Sequence, residues 1–307
     1  MSAVDDGDNR FLNGRDLTPY RRAILAARPD LEGAPLSLNP DGWDCVAVEG
    51  AGHVFKFPRH EAAAERLIQE PKTLALIAPH ATLTVPAMRL HHTPVLFSEH
   101  KMIAGRSVDS AFYATLQTPV RERLAADVAR FTAALNAIPV DKALAAGCTH
   151  QRPRPTLEVL GQRVWPLLDD DVKGDASAIL TAASAYGPDT PVFGHFDTHG
   201  WNMAFDENAR VLNGLFDFAD SGVGPLHRDL SYTAFISPDL VARVARAYVV
   251  ITGRRLDMDR IFNEHGVLRL IELADATDDP RPFVDALRTW CDDLSRWRGA
   301  QPHGDKA

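Results

Sequence analysis

The sequence predicts an α+β fold in two lobes, a small antiparallel sheet followed by a larger and mainly helical body. Three observations lead there. Between residues 36 and 105 the apolar runs are short and broken by Gly, Pro and Asp turns, which is hairpin patterning. From Ser107 onward apolar residues recur at helical spacing. A chain of 307 residues is also long enough to bury more than one core. The division falls at 104/105, giving lobes of residues 1–104 and 105–307.

Taken in order, residues 1–15 are polar and read as a loose arm. Thr18-Pro19 starts a helix that ends before Pro29-Asp30. Residues 36–58 give three strands, with Pro40-Asp41-Gly42 and Glu49-Gly50-Ala51-Gly52 as the turns. In the third strand Lys56 shares a face with Val54, opposite Phe55 and Phe57. A lysine so placed ordinarily marks an edge facing water. Residues 62–78 have helical spacing at Leu67, Leu74 and Ile77, but Pro71 disfavours helical geometry at Glu70 and predicts a kink or a new start there. Two more strands follow, at 88–91 and 95–100. Thr118-Pro119 opens a helix with Leu124, Val128, Phe131 and Leu135 on its core face. Residues 151–155 connect to helices at 156–168 and 171–186. Met203-Ala204-Phe205 and the apolar run 211–218, separated by Asp206-Glu207-Asn208, form a hairpin. Helices then run near 238–252, 257–274 and 280–297, and 299–307 is a frayed tail.

The net charge of −8 argues against a nucleic-acid partner, whose phosphates require basic patches. It suits a cationic small-molecule substrate. Cys45, Cys148 and Cys291 are widely spaced and odd in number, so no disulfide framework is expected and a reducing, cytoplasmic setting follows. No apolar run approaches the ~18 residues of a membrane span, and the N-terminus lacks a basic region followed by an apolar core.

The stretch 191–230 carries the chemistry. Asp197, four residues, Asn202, and then Asp217 on a following strand is the spacing that phosphoryl transfer from a nucleotide requires. One carboxylate faces the attacking hydroxyl, while an amide oxygen and a second carboxylate hold magnesium. A rival reading takes His195-x-Asp197-x-His199 as a divalent-metal cluster of a hydrolase, which needs further His or Asp ligands on other loops.

The segment His195-Phe196-Asp197-Thr198-His199-Gly200-Trp201-Asn202, then Phe216-Asp217-Phe218, then Gly224-Pro225-Leu226-His227-Arg228-Asp229-Leu230 resembles the catalytic segment of the aminoglycoside phosphotransferase family, small-molecule relatives of the protein kinases. The family pattern is H-G-D-x-x-x-x-N, I-D-F/W and G-D-P-x-x-D-L. Here Phe196 stands for the glycine, and the aspartate before Pro225 is missing. Val54-Phe55-Lys56-Phe57-Pro58 and the helix after it resemble the same family, nearest the branch that phosphorylates the 2″ hydroxyl of aminoglycosides.

The resemblance implies a bilobal protein-kinase-like fold with a nucleotide-binding first lobe and a catalytic, substrate-binding second lobe. It implies Asp197 as the catalytic carboxylate, and Asn202 and Asp217 as magnesium ligands. Lys56 would grip the phosphates of ATP or GTP, with Glu70 holding Lys56 and Glu65 in reserve. Asp44 lies in the expected nucleotide-covering loop. Backbone groups from Glu99 through Lys101 to Met102 would meet the base, without distinguishing ATP from GTP. His195 and Asp229 would support the catalytic loop; as a bland alternative, Asp229 is a helix N-cap. Glu272 and Asp275 would receive the amines of an aminoglycoside or related amino sugar, or else belong to a solvated acidic face. A nucleotide-binding pseudokinase on the same fold is the second functional reading.

Overall fold

The computed structural model describes residues 11–277 and 279–300. The arm expected at 1–15 lies outside these residues up to position 10, and the tail expected at 299–307 lies outside them from 301. The first lobe opens with α1 (Leu17–Ala27), two residues earlier than Thr18-Pro19 suggested, because Asp16 is the N-cap and accepts from the Thr18 amide at 3.0 Å. Strands β1 (Leu36–Asn39), β2 (Cys45–Gly50), β3 (His53–Pro58), β4 (Arg89–His91) and β5 (Phe97–Lys101) form one antiparallel sheet in the order β1-β2-β3-β5-β4. The third strand is therefore the central one. Phe55 and Phe57 turn into a core with Tyr20, Ile24, Val46, Val48 and Phe97 under α1. Lys56 points to the other face, flanked by the small residues Ala47 and Ser98 on the neighbouring strands. The edge position expected of such a lysine is thus not where it sits.

The helix α2 (Glu61–Ile77) continues through Pro71 without a break. Its buried face carries Ala63, Ala64, Leu67, Glu70, Leu74 and Ile77, and their packing outweighs the local preference of the residue before proline. Glu70 is consequently held inside, only 2% exposed.

The second lobe contains α3 (Ser110–Thr115), α4 (Thr118–Asn136), α5 (Val140–Ala145), α6 (Leu157–Val164) and α7 (Asp170–Ala185), then β6 (Pro191–Gly194), β7 (Met203–Asp206), β8 (Val211–Leu215) and β9 (Gly222–Pro225), and finally α8 (Leu226–Ser231), α9 (Pro238–Thr252), α10 (Met258–Ala274) and α11 (Arg281–Ala300). Its main core gathers Leu124, Val128 and Phe131 of α4 with Leu240, Val244 and Tyr248 of α9, beneath Phe193, Phe205 and Phe218. A second core joins α6 and α7 to α10 and α11. The expected hairpin is β7–β8, while β6 pairs with β9. The lobes meet at Gly105, whose φ of 144° lets the chain pass against the backbone of Ala204 and Phe205. Arg106 and Phe205 then exchange backbone hydrogen bonds at 2.9 and 2.8 Å.

Candidate active site

Residues 195–202 leave β6 as a loop fastened from beneath. Asp229 fastens it: its carboxylate accepts from the Phe196 amide at 2.8 Å and from the Asn136 side chain at 3.1 Å. Asn136 also donates to the Phe193 carbonyl at 3.0 Å and accepts from the Tyr248 hydroxyl at 2.9 Å. Asp229 lies inside α8, so the N-cap alternative does not apply. Burial pushes its pKa up, with the donated hydrogen bonds working against that. Gly194 is required here, since a Cβ would lie 2.3 Å from an Asp229 carboxylate oxygen.

Phe196 occupies the left-handed region at φ 58°, which explains why the family pattern has glycine at this place. In this chain the ring is buried, against Gly224, where a Cβ would come within 2.7 Å of the ring's Cζ. His195 is buried against the Phe218 ring, 4.5 Å between centroids, with Nε2 3.3 Å from the Phe216 carbonyl. Burial lowers its pKa to about 4, so the ring is neutral near pH 7 and its Nε2–H donates to that carbonyl.

Asp197 and Asn202 face each other across a single 3-10 turn, 200–202. The Asn202 amide nitrogen donates to the Asp197 carboxylate at 2.7 Å and to its backbone carbonyl at 2.9 Å, which turns the amide oxygen away. The other carboxylate oxygen of Asp197 is 3.2 Å from His199 Nε2. Burial works against a charged His199, but the hydrogen bond and charge of Asp197, together with the charge of Asp217, raise its pKa. Gly200 closes the turn against the start of the helical lobe: the Val108 amide donates to its carbonyl at 2.9 Å, leaving no room for a side chain.

The return strand β8 ends at Leu215, two residues before Asp217. Asp217 itself takes φ 63°. That turn sends its carboxylate across to the sheet, 2.9 Å from Lys56 Nζ. Burial opposes both charges, yet each partner sustains the other, so the lysine pKa is raised and that of Asp217 lowered. Glu70 does not take the lysine, as the sequence suggested it would. Its Oε1 accepts from the Phe218 amide at 2.9 Å. Its Oε2 is buried without a hydrogen-bond partner among the described residues. Burial pushes Glu70 up to about 7, with Lys56 pulling against it.

The remaining expected residues are held in ion pairs or lie exposed, with Asp44 and Glu272 in the field of the site's carboxylates. Asp44 is paired with Arg66 and, at 3.3 Å, with His60, on the side of α2. Glu99 is buried under a cluster of Arg28, His91 at 2.9 Å and His53 at 3.0 Å, so its side chain ties α1 to β5 rather than facing the cleft. Lys101 ends β5, its side chain exposed and its carbonyl 2.9 Å from His100 Nδ1. Glu65 is exposed on α2. Glu272 is paired with Arg269 at 3.0 Å and Asp275 with Arg163 at 2.8 Å.

Sequence reasoning passed over several groups. Asp220 lies three residues past Asp217, and burial, then the charges of Asp197 and Asp217, push it up to about 6. Its spacing from Asp217 was the available signal. His199 was weighed only as a metal ligand, and Asn136 carries no sequence signal at all. Among the described residues no group of three or more His, Cys, Asp or Glu side chains could hold a metal ion, so the hydrolase reading finds no ligand set.

Comparison with known proteins places the fold. A model of the phosphotransferase enzyme family, APH, matches residues 37–261. The GDP complex of a wild-type aminoglycoside 2'-phosphotransferase-IIIa superposes with a TM-score of 0.77 at 18% identity, covering 92% of this chain and 99% of that one. The GDP and kanamycin complex of APH(2")-IIIa gives 0.75 at 20% identity, with 92% and 99% covered. A macrolide 2'-phosphotransferase type I gives 0.63 at 19% identity, with 91% and 98% covered. At such identities the likeness establishes the bilobal kinase-like fold. The comparison with curated proteins gives no match.

Proposed function

The chain belongs to the phosphotransferase enzyme family, and on that footing we propose that it is a small-molecule kinase moving the γ-phosphoryl group of ATP or GTP to an acceptor hydroxyl. The observation that carries this is the 2.9 Å approach of Lys56, from the central strand of one lobe, to Asp217 of the other, beside the Asp197–Asn202 pair. Residues 1–104 would supply the nucleotide side of the cleft and 105–307 the acceptor side.

Asp197 would orient the acceptor hydroxyl and take its proton. Its carboxylate is held for that by Asn202 on one oxygen and His199 on the other. Lys56 would hold the phosphates, with Glu70 and Asp217 both within its field to keep it charged. The Asn202 amide oxygen and the Asp217 carboxylate would be the hard oxygen donors that suit Mg2+. Bound there, the ion supplies charge neutralisation for the phosphate oxygens. His195 and Asp229 hold the loop by way of Phe216 and Phe196.

An aminoglycoside or related amino sugar is the acceptor class the family suggests, and kanamycin is named with one of the structural relatives. In this chain Glu272 and Asp275 would receive amines only by giving up Arg269 and Arg163. Free Cys45, Cys148 and Cys291 and a nucleotide co-substrate fit a cytoplasmic enzyme, and no described helix is long and apolar enough to cross a membrane.

The test is release of nucleoside diphosphate with ATP and with GTP, in magnesium, across a panel of hydroxylated acceptors. We expect acceptor-stimulated release in the wild type. Asp197→Ala should lower it by about 10^2–10^4-fold, the usual contribution of a positioned base. Equal release from that variant would remove Asp197 from the mechanism.

A further inference from the structure

Three guanidinium groups of the helical lobe gather on one side of Asp197. Arg154, in the loop before α6, is paired with Glu264 of α10. Arg269 is paired with Glu272 and lies over the Phe235 ring at 4.2 Å. Arg228 of α8 makes no ion pair with any described residue. Its Nη1 is 3.5 Å from the Arg152 carbonyl, and its guanidinium is 5.9 Å from the ring of Phe196. The charges of Arg228, Arg154 and Asp197 all act on the Tyr232 phenol, and those of Asp197 and Arg269 on Glu272, so these groups share one space.

The cluster is short of acceptors. Nε of Arg228, Nε of Arg269, and Nε and Nη2 of Arg154 are buried donors with no hydrogen-bond partner among the described residues. Buried charged donors are stable only when something accepts from them. Two of the three guanidinium groups are paired, with Glu264 and Glu272, and Arg228 has no carboxylate partner among the described residues. Beside them stands an aromatic wall: Trp201 is 58% exposed, edge-on to His199 at 5.2 Å and to Phe235 at 6.4 Å. A sugar-sized body lies well on such a wall, and an oxyanion lies well on planar guanidinium forks. A polycation would meet like charge.

We propose that the acceptor of this kinase carries an oxyanion, a carboxylate or a phosphate, seated on Arg228 and Arg154 with its hydroxylated body against Trp201 and Phe235. The proposal rests on the kinase reading above, and it replaces a cationic acceptor with an anionic one.

The test uses the full chain saturated with Mg·ADP and three probes on one pyranose frame: glucuronate, glucose and glucosamine, with kanamycin as a polycation. Saturation-transfer NMR reads their binding. We expect glucuronate to bind about tenfold more tightly than glucosamine, and Arg228→Gln to remove that difference. Glucosamine or kanamycin binding as tightly as glucuronate overturns the proposal. So does glucuronate binding that is unchanged in Arg228→Gln, or absent in the wild type. Retained Mg·ADP binding shows that the variant is folded. If it is not, Arg154→Gln takes its place with the same expectation. Failure of the wild type to bind Mg·ADP would strike the kinase reading instead, so the two failures are distinguishable.

Discussion

Phe196 should resist conversion to the glycine that its position in the loop favours. Two effects oppose each other there. At φ 58° a residue with a Cβ is strained, by about 1–2 kcal/mol. Against that, the ring is 1% exposed, and deleting such a ring costs about 3–5 kcal/mol through lost transfer energy and the cavity left behind. Phe196→Ala keeps the strain and loses the ring, so it should cost the full 3–5. Phe196→Gly loses the ring but relieves the strain, for a net cost of about 1–4 kcal/mol, below that of alanine by the strain relieved. The order of stability is therefore wild type, then glycine, then alanine. Urea unfolding followed by circular dichroism reads it as a midpoint shift at constant slope. Gly224 supplies a cross-check. Gly224→Ala puts a methyl about 2.7 Å from the Phe196 ring and should cost about 1–3 kcal/mol with the ring present. The part of that cost due to the ring should vanish when Phe196 is glycine, leaving the contact with Gln151 Cγ, and a double-mutant cycle isolates it. A glycine variant as stable as wild type would refute the burial argument. An alanine variant as stable as the glycine one would refute the strain argument.

His195 makes part of the stability depend on pH. Its folded pKa of about 4 lies below the ordinary 6.5, so the unfolded chain takes up the proton first as pH falls. Stability is lost between about pH 6.5 and 4, by about 3 kcal/mol in all. Glu70, raised to about 7, runs the other way and loses stability as pH rises through that value. The difference in acid slope between wild type and His195→Asn isolates the histidine, and equal slopes would contradict the assignment. Gly194→Ala should destabilise by about 1–3 kcal/mol through its clash with Asp229, and should lower turnover more than nucleotide affinity, because Asp229 holds the catalytic loop. Unaltered turnover in a folded Gly194→Ala would contradict that.

Local chemistry made much of this molecule legible. Turn residues gave the strands of the sheet and the β7–β8 hairpin. The Thr118-Pro119 start and Leu124, Val128 and Phe131 gave α4 and its core face. What local reading missed was decided at long range. Pro71 argued for a break that the packing of α2 overrides. Lys56 read as an edge residue because nothing local shows that β5 adds to the far side of β3. The pairing of the Glu99 side chain was not legible because Arg28, far back in the chain, gives no sign that it will claim it. Asp217 was expected on a strand, yet its left-handed turn is what lets it reach Lys56. The arginines around Asp197 come from three separate segments, so no window of sequence shows their number.

The most direct test of the account is calorimetric binding of nucleotide, with and without magnesium, to wild type and to Asp217→Asn. The account predicts saturable, magnesium-dependent binding in the wild type that Asp217→Asn abolishes. Binding of the same strength and the same magnesium dependence in the variant would contradict it.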